Sequence, residues 1–184
     1  MDNGEQLIQA SIPFLEEIKN RTPGEAMERW LNTTRGPPSA LHQALSRLIK
    51  LGVEEGRAAN PGGRRAELPP QLILSPAPET AWFSITAVYM NSADARAFDH
   101  PEGGRAIRGQ FHSHPYGEIN LVAPLDPGAE LRGPNGWQGA GWTAPDPGSR
   151  HFPETRGGAL IALFYLPAGR IAYDVRPSAE PPLP

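Results

Sequence analysis

The stretch HSHPYGEIN, from His112 to Asn120, contains three side chains able to bind a metal: His112, His114 and Glu118. Side chains alternate faces along a strand, so His112 and His114 point one way and Ser113 the other. Pro115 and Gly117 then permit a turn, because proline fixes φ and glycine tolerates positive values. Glu118 can swing back beside the two imidazoles. Two neutral nitrogens and a carboxylate suit Zn, Fe, Mn, Ni or Cu, with positions left for water or substrate; ligand type alone does not choose among them. A fourth candidate, His151, follows the tight turn Pro147-Gly148 in APDPGSRHFPE. The rest of the chain reads as scaffolding for these residues.

Working outward, 184 residues are enough for one domain with a sizeable core. A net charge of −3 argues against a general nucleic-acid binder. With no cysteine there is neither a disulfide nor a thiolate-held metal, which fits a cytoplasmic setting. The N-terminus MDNGEQLIQA lacks a basic segment followed by an apolar run, so no signal peptide is expected. No apolar run approaches the roughly 20 residues of a membrane span. The 20 glycines and 22 prolines favour short strands joined by turns over a helix bundle.

Residues 1–57 read as a helical segment packed on the β domain. Leu7, Ile8, Phe14, Leu15 and Ile18 share a face, with Pro13 a kink or break. Thr22-Pro23-Gly24-Glu25 reads as a helix start with Thr22 as cap. Ser39 can cap a third helix whose stripe is Leu41, Leu45, Leu48, Ile49 and Val53, ended by Gly56. Residues 58–70 form a polar linker in which Arg64 and Arg65 could clamp an anion, although a solvated loop is the default. Residues 71–177 turn to β patterning, and 178–184 are a tail. In AWFSITAVYMN (81–91) both alternating faces are partly apolar, as in a barrel strand covered on one side by helices. RAIRGQFHSH is the strand delivering the first ligands, and NLVAPL is another. GPNGWQGAGW is a turn flanked by Trp137 and Trp142. ALIALFYL (159–166) is strongly apolar, and LPAGRIAYDV predicts a hairpin at Pro167-Ala168-Gly169. These elements predict a mainly β fold, a small antiparallel barrel or jelly roll with an N-terminal helical segment.

His42 and His100 read as ordinary surface or core residues. Period two places Arg108, Gln110 and His112 on one face, so Arg108 can enter the cavity and bind a carboxylate. The alternative for Arg108 is an internal salt bridge. Tyr89, Phe83, Trp142 and Tyr116 could wall an aromatic substrate pocket, though taken singly each fits a core position.

The two histidine motifs resemble those of the cupin superfamily. His112, His114 and Glu118 stand in the order of its first motif, and Pro147, Gly148 and His151 in that of its second. The departures are Ala106 and Leu125 where glycines are expected, and Thr155 in place of an asparagine. The resemblance implies a cupin-like antiparallel β-barrel, His112, His114, Glu118 and His151 as ligands of a divalent transition metal (Fe, Mn, Zn or Ni), and a homodimer. HSHP is also similar to the JAMM metallo-deubiquitinases, but their downstream serine is Ala123 here, and Glu118 and His151 would have no role. Over residues 5 to 175, IPFLEEIK, GEAMERWLN, PYGEIN, VAPLD, GPNGW, GWTAPDPGSRH and GGALIALFYLPAGRI together resemble the 4-hydroxylaminobenzoate lyases of nitroaromatic degradation. That resemblance implies conversion of 4-hydroxylaminobenzoate to 3,4-dihydroxybenzoate (protocatechuate) with release of ammonia. In this scheme His114 and Glu118 act at the reacting centre, and Arg108, Tyr89, Trp142 and Tyr116 contact the aromatic substrate. A cupin dioxygenase acting on an aromatic ring, and a cupin that binds a small molecule without catalysis, are the alternatives.

Overall fold

Three helices open the chain in a computed structural model that describes residues 2–54 and 71–173. In α1 (Asn3–Ile18) the Asp2 carboxylate accepts from the Glu5 amide, and the Glu5 carboxylate accepts from the Asp2 amide. This reciprocal cap fixes the helix start. The helix runs through Pro13 without the expected break. Its buried residues, among them Leu7, Phe14, Leu15 and Ile18, hold it against the sheet behind, and that packing overrides one missing backbone bond. The second helix, α2 (Glu25–Thr34), begins after Gly24 at φ 144 with no side-chain cap, so Thr22 does not take that role. Ser39 does cap α3 (Ala40–Glu54): its Oγ accepts from the His42 amide at 3.2 Å. The linker 58–70 with Arg64 and Arg65, the stop at Gly56 and the tail 178–184 lie outside the described residues.

The strands follow as β1 (Gln71–Leu74), β2 (Phe83–Asn91), β3 (Phe98–Asp99), β4 (Arg105–Arg108), β5 (His112–His114) and β6 (Ile119–Pro124). Then come β7 (Glu130–Gly133), β8 (Gly136–Gln138), β9 (Gly141–Thr143), β10 (Ser149–His151), β11 (Glu154–Arg156) and β12 (Ala159–Pro167). They assemble into two five-stranded sheets, β1-β2-β12-β6-β9 and β3-β4-β11-β7-β8, and a separate ladder, β5-β10. All pairings are antiparallel. The anticipated single strand through RAIRGQFHSH is two, interrupted at Gly109-Gln110-Phe111, where the chain leaves the second sheet for the ladder. The turn at Pro167-Ala168-Gly169 forms, but the returning segment does not double back on β12. Ala172 bridges Ser113 of β5 instead.

Period two builds the layers. On β2, Phe83, Ile85, Ala87 and Tyr89 face the helices, while Val88 and Met90 face the second sheet. On β12, Ile161, Leu163 and Tyr165 face the helices, and Leu160, Ala162 and Phe164 the opposite way. Ile107 of β4 and Leu131 of β7 complete the inter-sheet cluster. The result is helices on one face of the first sheet and a second sheet on the other, a mainly β double-sheet arrangement. Phe14 packs tilted against Trp142 and edge-on against Tyr165, at centroid separations of 4.9 and 5.5 Å. Burying such side chains contributes roughly 1.5–3 kcal/mol each. The edge strand β9 is sealed by α2: Asn32 bonds both the Trp142 amide (2.9 Å) and its carbonyl (2.8 Å). Buried Glu28 accepts from the Ala144 amide at 3.0 Å. Among the described residues no helix is long and apolar enough to cross a membrane.

Candidate metal centre

The β5-β10 ladder brings the two histidine motifs together. Its register pairs His151 with His112, Arg150 with Ser113 and Ser149 with His114. Directly paired residues share a face, so His112, His114 and His151 converge while Ser113 and Arg150 point away. The turn before β10 is tied to the first motif, because the Gly148 amide donates to the His114 carbonyl at 2.7 Å. Gly148 holds φ +79, a backbone angle that favours glycine.

One ring nitrogen from each of the three histidines lies within 4.8 Å of the others. His114 Nε2 and His151 Nε2 are 3.3 Å apart. His112 Nδ1 lies 2.8 Å from the Gln110 carbonyl, which can only accept, so the proton sits on Nδ1 and Nε2 keeps its lone pair. Burial holds all three imidazoles in the neutral form. His112 is lowered mainly by desolvation, His151 falls to about 4, and His114 to about 2 with help from the neighbouring rings. Three neutral imidazoles clustered without an acid among them form an electron-rich pocket that fits a divalent transition metal.

Glu118 is brought close but not into that cluster. Its Oε2 lies 3.3 Å from His114 Nδ1, on the side of the ring away from His151. The approach lacks hydrogen-bond alignment, and neither atom has another partner. Its Oε1 accepts from Asn120 Nδ2 at 2.7 Å, and the same Nδ2 donates to Thr143 Oγ1 at 3.0 Å. Desolvation raises the Glu118 pKa to about 8, against the opposing Asn120 bond. Without a metal ion, burial favours the uncharged form of both Glu118 and His114, and their contact is then not an ion pair.

Of the residues expected to contact substrate, Arg108 lines an opening that His151 also lines. Tyr89 and Trp142 belong to the helix-facing core; Trp142 Nε1 donates to the Arg35 carbonyl at 2.7 Å. Tyr89 shares the parity of Phe83 and Ile85, and Trp142 pairs with helix-facing Leu121. Tyr116 stands 54% exposed in the turn after His114. Arg108 forms the internal salt bridge: its Nη2 and Nε lie 2.6 and 2.8 Å from Glu154 Oε1. The break at Gly109-Gln110-Phe111 explains why it does not share the His112 face.

Two openings flank the centre. One, of about 610 Å³, is lined by His151 and by charged residues that include Arg108, Arg132, Glu102 and Glu154. Buried Glu154 sits between Arg108 and His100, whose Nε2 is 3.4 Å away. His100 is thus part of a charged network; nothing in its loop motif marks it in the sequence. The other opening, about 480 Å³, lies between the inner face of the first sheet and the start of β5, and is lined by Thr86, Val88, Met90, Gln110, His112 and Phe164, among others.

Fold and centre together define a mainly β, double-sheet protein with a three-histidine candidate metal site. A family profile described as PnbB, 4-hydroxylaminobenzoate lyase, matches residues 9–173. A 4-hydroxylaminobenzoate lyase from Nocardioides sp. (strain LMS-CY) is 54% identical over 185 residues, covering 98% of this chain and 100% of that protein. Another from Pseudomonas putida is 51% identical over 179 residues, covering 95% and 97%. The chain belongs to the 4-hydroxylaminobenzoate lyase family. Among solved structures, one from the crystal structures of the DMSP lyases RdDddP and RnDddQII aligns with TM-score 0.42 and 15% identity, covering 94% of this chain and 98% of that one.

Proposed function

We propose that this chain converts 4-hydroxylaminobenzoate to 3,4-dihydroxybenzoate with release of ammonia, using a divalent transition metal held by His112, His114 and His151. The observation that carries the metal is the convergence of three neutral imidazoles within 4.8 Å beside an apolar cavity. The net reaction takes up one water and loses one ammonia. Cleavage of the N–O bond offsets oxidation of the ring, so no redox cofactor is required. A metal bound here would supply Lewis acidity toward the N–O bond or toward water.

The chain's own residues bind and orient. The cavity beside His112 is apolar on the Val88, Met90 and Phe164 walls, where an aromatic ring gains from burial. Gln110 and the Thr86 and Ser84 hydroxyls in the same lining supply neutral hydrogen-bonding groups for the carboxylate end. Arg108 is engaged by Glu154 beside the other opening, so it serves the scaffold rather than the substrate. The Gln110 carbonyl holds the His112 tautomer with Nε2 free.

Purified protein should form 3,4-dihydroxybenzoate and ammonia in equal amounts under strict anaerobiosis, with metal content tracking activity. Full turnover by protein rigorously stripped of metal would sink the metal reading. Oxygen consumption matched to turnover would point to a dioxygenase instead.

A further inference from the structure

We infer that Glu118 is a positioning residue that acts through His114 Nδ1, and that the three histidines alone supply the protein's metal ligands. This rests on the metal reading above and departs from a four-ligand set. His114 presents Nε2 to His151 at 3.3 Å and Nδ1 to Glu118 Oε2 at 3.3 Å. The two nitrogens of an imidazole point in divergent directions. A carboxylate at Nδ1 therefore stands behind the ring, away from a cation at Nε2.

Both facing atoms are buried, and neither has another hydrogen-bond partner. An unpaired buried polar atom is costly, and here each is the natural complement of the other. A histidine that coordinates through Nε2 carries its proton on Nδ1. A small turn of the ring would then let that N–H donate to Glu118 Oε2, which fixes ring orientation and raises ligand basicity.

Glu118 is also pinned where it stands. Its Oε1 is held by Asn120, which is itself tied to Thr143. Its amide donates to the Pro145 carbonyl at 3.1 Å. The preceding Gly117, at φ +79, packs so tightly that a Cβ there would meet Pro23 at 2.7 Å and the Pro145 oxygen at 2.9 Å. Swinging the carboxylate around the ring to the cation would break the Asn120 bond.

The test titrates Zn²⁺ and Co²⁺ into metal-free wild type, Glu118→Gln, Glu118→Ala and His151→Ala, and records the Co²⁺ ligand-field spectrum. Wild type and both Glu118 variants should bind one ion with the same band positions. Affinity should fall in the order wild type, Gln, Ala, within the roughly 10–100-fold range of an outer-shell partner. His151→Ala should lose more and change its bands. In the zinc-loaded wild type, ring-nitrogen NMR should show His114 protonated at Nδ1 and metal-bound at Nε2, a readout that needs no variant to fold. The inference is overturned if Glu118→Gln loses metal as His151→Ala does, shifts the Co²⁺ bands, or if His114 Nδ1 proves unprotonated. Failure of wild type to bind either ion would overturn the metal reading as well, and so separates the two.

Discussion

Replacing His151 with Ala removes one apex of the imidazole triangle whose ring centroids stand 4.6, 4.9 and 5.0 Å apart. Metal content and turnover should fall together, by more than the roughly 10–100-fold typical of an outer-shell change. Elemental analysis beside product assay checks this. Glu118 gives a separate, pH-dependent signature in the metal-free protein. Its folded pKa of about 8 lies above its ordinary value of 4.5, so its contribution to stability is full below 4.5 and is lost as pH rises through 8. The histidines run the other way. Their folded pKa values are depressed, so stability is full above 6.5 and is lost as pH falls toward about 4 for His151. Glu118→Gln removes only the first effect. The melting temperature of the metal-free variant should therefore gain on wild type as pH rises from 5 to 8.5. A constant difference across that range would show that Glu118 does not titrate as the burial requires.

At the scale of elements, two glycines with the same φ of +79 should behave differently. A Cβ at Gly148 meets nothing within 4 Å, so Gly148→Ala carries only left-handed backbone strain, about 1–2 kcal/mol. At Gly117 the same Cβ collides with Pro23 and with the Pro145 carbonyl, so Gly117→Ala should cost clearly more and displace Glu118. Thermal unfolding of the pair, with metal titration, measures both effects. Much of this level was legible from side-chain types: the Ser39 cap, the alternation in β2 and the turn at Pro147-Gly148 follow from local chemistry. The missing Thr22 cap and the unbroken helix at Pro13 do not. Packing against the sheet outweighs a cap or a lost bond, each worth about 1–3 kcal/mol.

Across the whole molecule, the first sheet divides two jobs. Its helix-facing side carries Trp142 and Tyr165, against which Phe14 of α1 packs, and its inner side borders the cavity beside His112. Trp142→Ala should cost about 3–5 kcal/mol in stability and leave metal affinity near wild type, because its indole packs on the side away from the histidines. Val88→Phe should do the reverse. It intrudes on the cavity and should weaken aromatic-acid binding at least tenfold at unchanged metal stoichiometry, with an overpacking cost of about 1–3 kcal/mol. Equal binding by this variant would move the ring out of the cavity beside His112.

Period two and the chemistry of imidazole were enough, from sequence, to place His112 and His114 on one face, to nominate His151 and to expect a helix-covered antiparallel β fold. These are short-range properties of neighbouring residues. Three matters needed the tertiary structure: which face of β2 looks inward, whether Arg108 shares the His112 face, and on which side of the His114 ring Glu118 stands. Alternation separates Tyr89 from Val88 but cannot say which of them meets helices, since both faces are apolar. The break at Gly109-Gln110-Phe111 resets parity, and only the pairing of Glu154 with Arg108 shows where that guanidinium goes. Those outcomes depend on contacts between residues far apart in the chain, which local spacing does not encode.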